Sequence, residues 1–344
     1  MNINLRKIAK ISGVSVATVS RVINDKDGVS ETTRARILKI LEENMYVQNI
    51  GARNLKTAKS KTIGFLISKF SDPFFILVFE GMQKICRKRG YHVLILDTNE
   101  DIEQEREAIK LMLGYRVEGI VASFVNPNIK ILDQLSSLNI NVLMLDRKIE
   151  RFKADSVTLD NIGGSREQIN YLSKLGHKDI AVVHGPTSNS TGKERLNGYF
   201  SAMKEHGLNV NDNYVTCGEF NENMAYHSTI RLMSLEKRPT AVAVHNNMMC
   251  LGAFKALMDL KINIPHEVSL IGFDDFDVVL NSLHDLGAYL GPGITLMETP
   301  VLEMGIVAAE MLLDRIEGKM SGDVKYVVFP AKLIIRNSCI GVEK

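Results

Sequence analysis

Arg21 carries the most distinctive chemistry in the first part of the chain. It sits in Ser15-Val16-Ala17-Thr18-Val19-Ser20-Arg21-Val22-Ile23-Asn24, and its forked guanidinium can pair with guanine O6 and N7. Val16 and Ala17 are small enough to meet thymine methyl groups. Successive helical residues turn by about 100°, which places Val16, Ala17, Ser20, Arg21 and Asn24 on one face and Thr18, Val19, Val22 and Ile23 on the other. The second face reads as core. The first offers small apolar residues at an exposed helix start, which have no evident purpose except contact with a partner. The competing reading is a generic three-helix packing unit.

A second set of polar and aromatic side chains follows apolar runs: Ser71-Asp72-Pro73-Phe74-Phe75, Thr98-Asn99, Ser123, Asp146-Arg147, Asp160-Asn161, Thr191, Arg195, Phe220, Asn246-Asn247 and Asp274-Asp275. Doubly wound sheets bind ligands beyond the carboxyl ends of their strands. Rings, carboxylates and guanidinium groups collected there suit a small polar ligand. From these the candidate ligand residues are Phe74, Phe75, Asn99, Ser123, Asp146, Arg147, Thr191, Arg195, Phe220, Asn246, Asn247 and Asp274, with Arg195 and Asp274 foremost. The alternative for that pair is an internal salt bridge or a loop cap, because strand-end Asp residues often bond backbone N–H groups.

The elements that must hold these residues can be read from the pattern. Leu5 to Ile11 is a first helix broken by Ser12-Gly13-Val14, Ser15 caps a second, and Ser30 caps a third carrying Ile37, Leu38, Ile40 and Leu41. From Thr62 onward, continuous apolar runs alternate with helical stretches: 62–68, 92–97, 119–123 and 141–146, then 180–185, 215–220, 241–246 and 268–274. Such runs are parallel strands covered on both faces, and the succession is β-α-β. The two series match in one detail, since Gly81 precedes Gly90 by nine residues and Gly198 precedes Gly207 by nine. Two similar lobes around a cleft are expected.

At 344 residues, 45% hydrophobic and 24% charged, the chain has the composition of a globular protein of more than one folded unit. Residues 1–60 hold eleven Lys and Arg against five Asp and Glu, a net +6. That leaves −4 on the remainder, given the overall +2. A basic head suits a polyanion, because cations that neutralise phosphates release counterions. The N-terminus lacks the apolar run of a secretory signal and no window is apolar enough to span a bilayer, so a cytoplasmic chain without a membrane partner is expected.

Cys86, Cys217, Cys250 and Cys339 are widely spaced, which argues against a zinc ribbon or redox dithiol. Gly185–Glu194 fails as a phosphate loop, with six residues between its glycines instead of four and Glu after Lys193. No nucleophile elbow, dinucleotide fingerprint or completed metal-ligand set is present. The sequence therefore predicts neither an enzyme, nor a cofactor, nor a metal site.

The run from Leu5 to Asn24 closely resembles the DNA-binding head of the LacI/GalR repressor family. The resemblance continues through Tyr46, the hinge Ala52-Arg53-Asn54-Leu55 and a periplasmic-binding-protein-like body. The implied fold is an all-α helix-turn-helix head plus an α/β body of two doubly wound parallel-sheet lobes. The implied boundaries are 1–48 for the head, 49–60 for the hinge and 61–344 for an effector-binding and dimerisation domain. Within that domain the first lobe is expected at about 61–159 and 293–325, and the second at about 160–292 and 326–344.

By the same resemblance Val16, Ala17 and Arg21 read bases, with Ser15, Thr18, Ser20, Asn24, Ala52 and Lys56 as further DNA-contacting candidates. Leu55 is the hinge leucine that wedges into the minor groove. Phe74, Arg195, Phe220, Asn246 and Asp274 line the effector pocket. Two features of the hinge region depart from the family pattern: Gln48 stands near a usual proline, and Gly51 disfavours a helix by about 1 kcal/mol. In the body, Asn247 replaces an aspartate of many sugar-responsive relatives, and Asn281–Gly293 is atypical.

The implied function is a sequence-specific transcriptional regulator, a repressor controlled by a sugar or sugar phosphate. It would act as a homodimer on a near-palindromic double-stranded DNA operator. A tail-driven tetramer is not expected, for want of a leucine heptad extension. The alternative is a periplasmic-type small-molecule binding protein without a regulatory role, which the basic head opposes.

Overall fold

The computed structural model describes residues 4–46, 59–125, 129–274 and 293–342. Ala52, Leu55 and Lys56 lie outside the described residues, as do Gln48, Gly51, Asp275 and 281–292. The chain forms two compact units, one ending at Ser60 and the other beginning at Lys61.

Among the described residues the first unit holds three helices: α1 (Leu5–Ser12), α2 (Val16–Ile23) and α3 (Glu31–Glu43). Each starts on a side-chain cap. The oxygens of Asn4, Ser15 and Ser30 accept from the N–H groups of Lys7, Thr18 and Thr33 at 3.0, 3.1 and 3.4 Å. Gly13 ends α1 at φ +66°, a left-handed position that favours glycine. Ile8, Ala9, Val19, Val22 and Ile37 form the core. Arg34 fixes the turn between α2 and α3, donating to Asp25 and to the Lys26 carbonyl, both at 2.7 Å.

The second unit contains two six-stranded sheets. The first lobe starts with β1 (Thr62–Ile67), α4 (Pro73–Lys88), β2 (His92–Asp97), α5 (Ile102–Gly114), β3 (Gly119–Ala122), α6 (Ile129–Ser137), β4 (Asn141–Leu145) and β5 (Asp155–Leu159). Helix α7 (Asn161–Lys174) crosses into the second lobe. There the order is β6 (Ile180–His184), α8 (Ser190–Glu205), β7 (Val215–Cys217), α9 (Glu222–Met233), β8 (Ala241–Val244), α10 (Asn247–Asp259), β9 (Ser269–Phe273) and β10 (Thr295–Glu298). Helix α11 (Val301–Ile316) returns to the first lobe, followed by β11 (Tyr326–Phe329) and β12 (Lys332–Ile334). The sheet orders are β11-β5-β4-β3-β1-β2 and β12-β10-β9-β8-β6-β7. Among the described residues every pairing is parallel except β12 with β10.

The expected lobe boundaries near the C-terminus require correction. Strand β10 pairs with β9, Thr295 opposite Ile271, and so belongs to the second lobe, not the first. Strand β11 pairs with β5, Tyr326 opposite Ser156, and so belongs to the first lobe, not the second. The chain therefore changes lobe around Thr299-Pro300 and again around Pro330-Ala331. An apolar run announces a strand, but its partner is set by which sheet edge offers unpaired backbone groups. Strands β5 and β12 had no signal of this kind, being short and carrying polar residues such as Asp155, Thr158 and Lys332, whereas β11 is a four-residue apolar run, Tyr326–Phe329.

The paired glycines do mark equivalent places. A Cβ on Gly81 would stand 2.1 Å from the Leu302 carbonyl oxygen, and one on Gly198 would stand 2.5 Å from that of Ile162. Each glycine lets the first helix of its lobe, α4 or α8, approach the helix that crosses over, α11 or α7. Gly90 and Gly207 follow those helices at φ +71° and +64°. Under the sheets lie continuous apolar cores such as Phe65, Val78, Leu143 and Met304 in the first lobe and Val183, Val242, Leu257 and Leu270 in the second. Burying each such side chain contributes about 1.5–3 kcal/mol.

Candidate functional site

On the head, α2 presents Val16, Ala17, Arg21 and Asn24 to solvent, with Ser20 half-buried and Val19 and Val22 in the core. Val16 keeps 42% of its surface exposed, and among the described residues Arg21 makes no ion pair. Thr18 lies on the other side, as expected, and its hydroxyl joins the Ser15 cap at 2.9 Å. The Asn24 amide donates to the Ser20 carbonyl at 2.6 Å, so it closes the helix end in this arrangement.

In the second unit the carboxyl ends of both sheets face one cavity of about 470 Å³. Phe74 and Phe75 enter from the first turn of α4, Asp146 and Arg147 from the end of β4, and Thr191 and Arg195 from α8. Phe220, Asn246 and Asp274 follow β7, β8 and β9. Nine of the twelve sequence candidates thus share one wall system. The other three do not line it. Ser123 is fully buried behind Asp146, its hydroxyl 3.5 Å from Oδ2. Asn99 lines a neighbouring cavity with Glu100 and Pro186. Asn247, also buried, reaches across to the other lobe. Lining residues that the sequence candidates omitted include Ser68, Lys69, Glu100, Asn221 and Met248. Adjacency to Asn99, Phe220 and Asn247 was the available signal for three of them.

Arg195 is 2% exposed. Its Nη1 donates to Asp274 at 2.9 Å and to the His245 carbonyl, and its Nε donates to Asn161 at 2.9 Å. Its guanidinium carbon lies 3.7 Å from the Phe273 ring centroid. The internal salt bridge entertained for Arg195 and Asp274 is therefore present, and both partners still border the cavity. Asp274 also accepts from the Thr299 hydroxyl at 3.2 Å. The His245 imidazole is held well below its usual proton affinity by burial and by the nearby Arg195 charge.

Arg147 is held by Glu100, Nη1 donating to Oε2 at 2.8 Å and Nη2 to Oε1 at 2.5 Å, and its guanidinium stands 5.7 Å from the Phe220 ring. Burial opposes the Glu100 charge, but the hydrogen bonds and charge of Arg147 hold its carboxyl below the ordinary range.

The lobes meet through several polar contacts. Asn247 at the start of α10 donates to Asp72 Oδ1 at 3.1 Å, and Asp72 itself caps α4 by accepting from Phe74 N–H at 3.0 Å. The Thr191 hydroxyl donates to the carbonyl and to Oδ1 of Asp146, both at 3.2 Å. Lys148 pairs with Glu194 at 2.7 Å. Burial pushes the Asp72 carboxyl up to about 6 even though two donors favour its charged form, and Asp274 and Asp146 add repulsion. Burial raises Asp146 as well.

A helix-turn-helix head with a small-residue and arginine reading face, together with a two-lobed body enclosing a polar and aromatic cleft, defines the class of ligand-controlled DNA-binding regulators. The comparisons place the chain within it. Residues 4–49 match the model of the bacterial regulatory proteins of the lacI family, and residues 60–336 match that of the periplasmic binding proteins and sugar binding domain of the LacI family. The chain belongs to the LacI family.

It is 32% identical over 337 residues to the HTH-type transcriptional repressor PurR of Vibrio campbellii (strain ATCC BAA-1116), covering 97% of this chain and 98% of that protein. Among solved structures, the lac repressor dimer bound to operator and the anti-inducer ONPF superposes with a TM-score of 0.84 at 23% identity, over 99% of this chain and 100% of that one. The transcriptional regulator CelR–cellobiose complex superposes with a TM-score of 0.72 at 26% identity, over 98% and 99% of the two chains. No helix among the described residues is long and apolar enough to cross a membrane.

Proposed function

We propose that this chain is a cytoplasmic transcriptional repressor that dimerises, reads a near-palindromic operator with paired heads and is controlled by a carbohydrate held between its lobes. The observation that carries the effector assignment is the convergence on one cleft of Phe74, Phe75 and Phe220 with carboxylates, amides and hydroxyls. That mixture suits the apolar faces and hydroxyl edges of a sugar ring. Likeness to a cellobiose-bound regulator supports it.

Arg21, Val16 and Ala17 are assigned to base edges and Leu55 to the minor groove. One head covers too few base pairs for specificity, which motivates the dimer. Because the contacts between lobes run through the same walls as the cavity, a ligand that prefers one lobe arrangement alters the body that carries the heads. Control is then a coupling free energy between cleft and head. A binding protein with no regulatory role leaves the reading face of α2 without a use.

The test is selection of duplexes from a random library by the full chain, followed by binding titrations and sedimentation. The reading expects a near-palindromic site bound with a Kd of roughly 10⁻⁸ M or tighter, with affinity falling as salt rises, by a dimer. Absence of any sequence preference, or a monomer at micromolar concentration, would overturn it.

A further inference from the structure

Two of the three cations of the cleft are paired with carboxylates of the same chain. Arg147 lies in a two-point pair with Glu100, and Arg195 gives Nη1 to Asp274 at 2.9 Å while its other bonds go to Asn161 and the His245 carbonyl. Lys69, the remaining cation on the wall, favours the charged form of Glu100 but makes no ion pair among the described residues. Asp72 makes no ion pair among the described residues, and Asp146 shares Arg147 with Glu100. Asp72 accepts from one backbone N–H and one neutral amide. Asp146 accepts from the Thr191 hydroxyl and lies 3.8 Å from Nε of Arg147, the guanidinium whose Nη atoms Glu100 binds at two points. A carboxylate offers about four acceptor positions, so both keep positions for hydroxyl donors from a ligand. Five carboxylates, Asp72, Glu100, Asp146, Glu222 and Asp274, line this cavity against three cations, Lys69, Arg147 and Arg195, so a phosphate dianion here would meet a net negative wall.

We infer that the effector is an uncharged, polyhydroxylated carbohydrate and that the cleft rejects the phosphorylated forms of the same sugars. The inference rests on the carbohydrate reading of this cleft and narrows it. Discrimination comes from desolvated like charges, a stronger filter than the fit of one extra group. Asp146 and Asp72 are the residues that set it, with Asp146 the better probe. Its backbone lies at φ +63°, a conformation that asparagine tolerates well. Asp146→Asn therefore removes the charge while keeping the shape, the fold and an acceptor for Thr191.

The experiment measures thermal stability of the full chain at pH 7.5 against matched pairs: glucose and glucose 6-phosphate, fructose and fructose 1-phosphate, ribose and ribose 5-phosphate, cellobiose and its 6-phosphate. Inorganic phosphate controls for a general ion effect. A ligand that binds the native state raises the midpoint by mass action. The expected result is stabilisation by a neutral sugar, with its phosphorylated partner at least about a hundredfold weaker. Asp146→Asn narrows that ratio by about tenfold or more. A phosphorylated sugar that binds more tightly than its neutral partner overturns the inference and leaves the carbohydrate reading standing. An unchanged ratio in Asp146→Asn overturns the electrostatic cause. If no sugar of either kind stabilises the chain, the carbohydrate reading fails and the inference fails with it.

Discussion

Asn247→Asp tests how the two lobes are held together. In the native chain the Asn247 amide donates to Asp72 Oδ1 at 3.1 Å across the cleft. The substitution replaces this donor by a second carboxylate at nearly the same separation. Two unit charges about 4 Å apart repel by about 4 kcal/mol at an effective dielectric near 20. The pair need not bear that full cost, because Asp72 already titrates at about 6. Taking up one proton at pH 7 costs about 1.4 kcal/mol for one unit above that value, and the resulting O–H restores a hydrogen bond.

The penalty is therefore capped near 1.4 kcal/mol at pH 7. It approaches about 4 kcal/mol at pH 9, where protonation costs as much as repulsion, and vanishes near pH 5. A domain of this size loses roughly 2–4 °C of Tm per kcal/mol. Calorimetry should thus find the variant lower than the native chain by roughly 3–6 °C at pH 7 and by several degrees more at pH 9. Near pH 5 the two should coincide. A difference that does not change with pH would refute the reasoning, since it would mean that the two side chains do not face each other.

Arg21→Ala should weaken operator binding by at least about 1–3 kcal/mol, the contribution of one bidentate pair with guanine. Effector-induced stabilisation should be untouched, and a band-shift titration beside a thermal-shift series checks both. Glu105 is 1% exposed and accepts from Val125 N–H at 2.7 Å, and burial pushes its carboxyl up from 4.5 to about 7. Its folded-state value is raised, so its favourable contribution is complete below about pH 4.5 and is lost as pH rises through 7. Glu105→Gln, which keeps an acceptor for Val125, should stabilise the body by about 3 kcal/mol at pH 8 and by nothing at pH 4, read from urea midpoints. Equal stabilisation at both values would show that the carboxylate is not the cause.

What the sequence determined by itself was whatever depends on near neighbours. Ser15 and Ser30 cap their helices because a side-chain oxygen three positions upstream meets an unpaired N–H. Val19 and Val22 are core, while Arg21 and Ala17 are exposed, because the helical period fixes which face each occupies. Asp146, Asn246 and Asp274 stand at the cleft because each follows an apolar strand by one or two residues, and parallel strands deliver their carboxyl ends to the same side.

What only the tertiary structure decided concerns partners distant in the chain. Nothing local to 295–298 or 326–329 says which sheet receives it, since backbone groups pair with any free edge. Ser123 and Asp146 each follow a strand directly, yet Ser123 is fully buried and Asp146 lines the cavity. The charge balance of the cleft was hidden for the same reason. Arg147 and Arg195 look in sequence like sites for an anion, and only the folded chain brings Glu100 and Asp274 against them and leaves the cavity wall with more carboxylates than cations. Electrostatic preference depends on distance in space and on burial, neither of which is a property of a short stretch of chain.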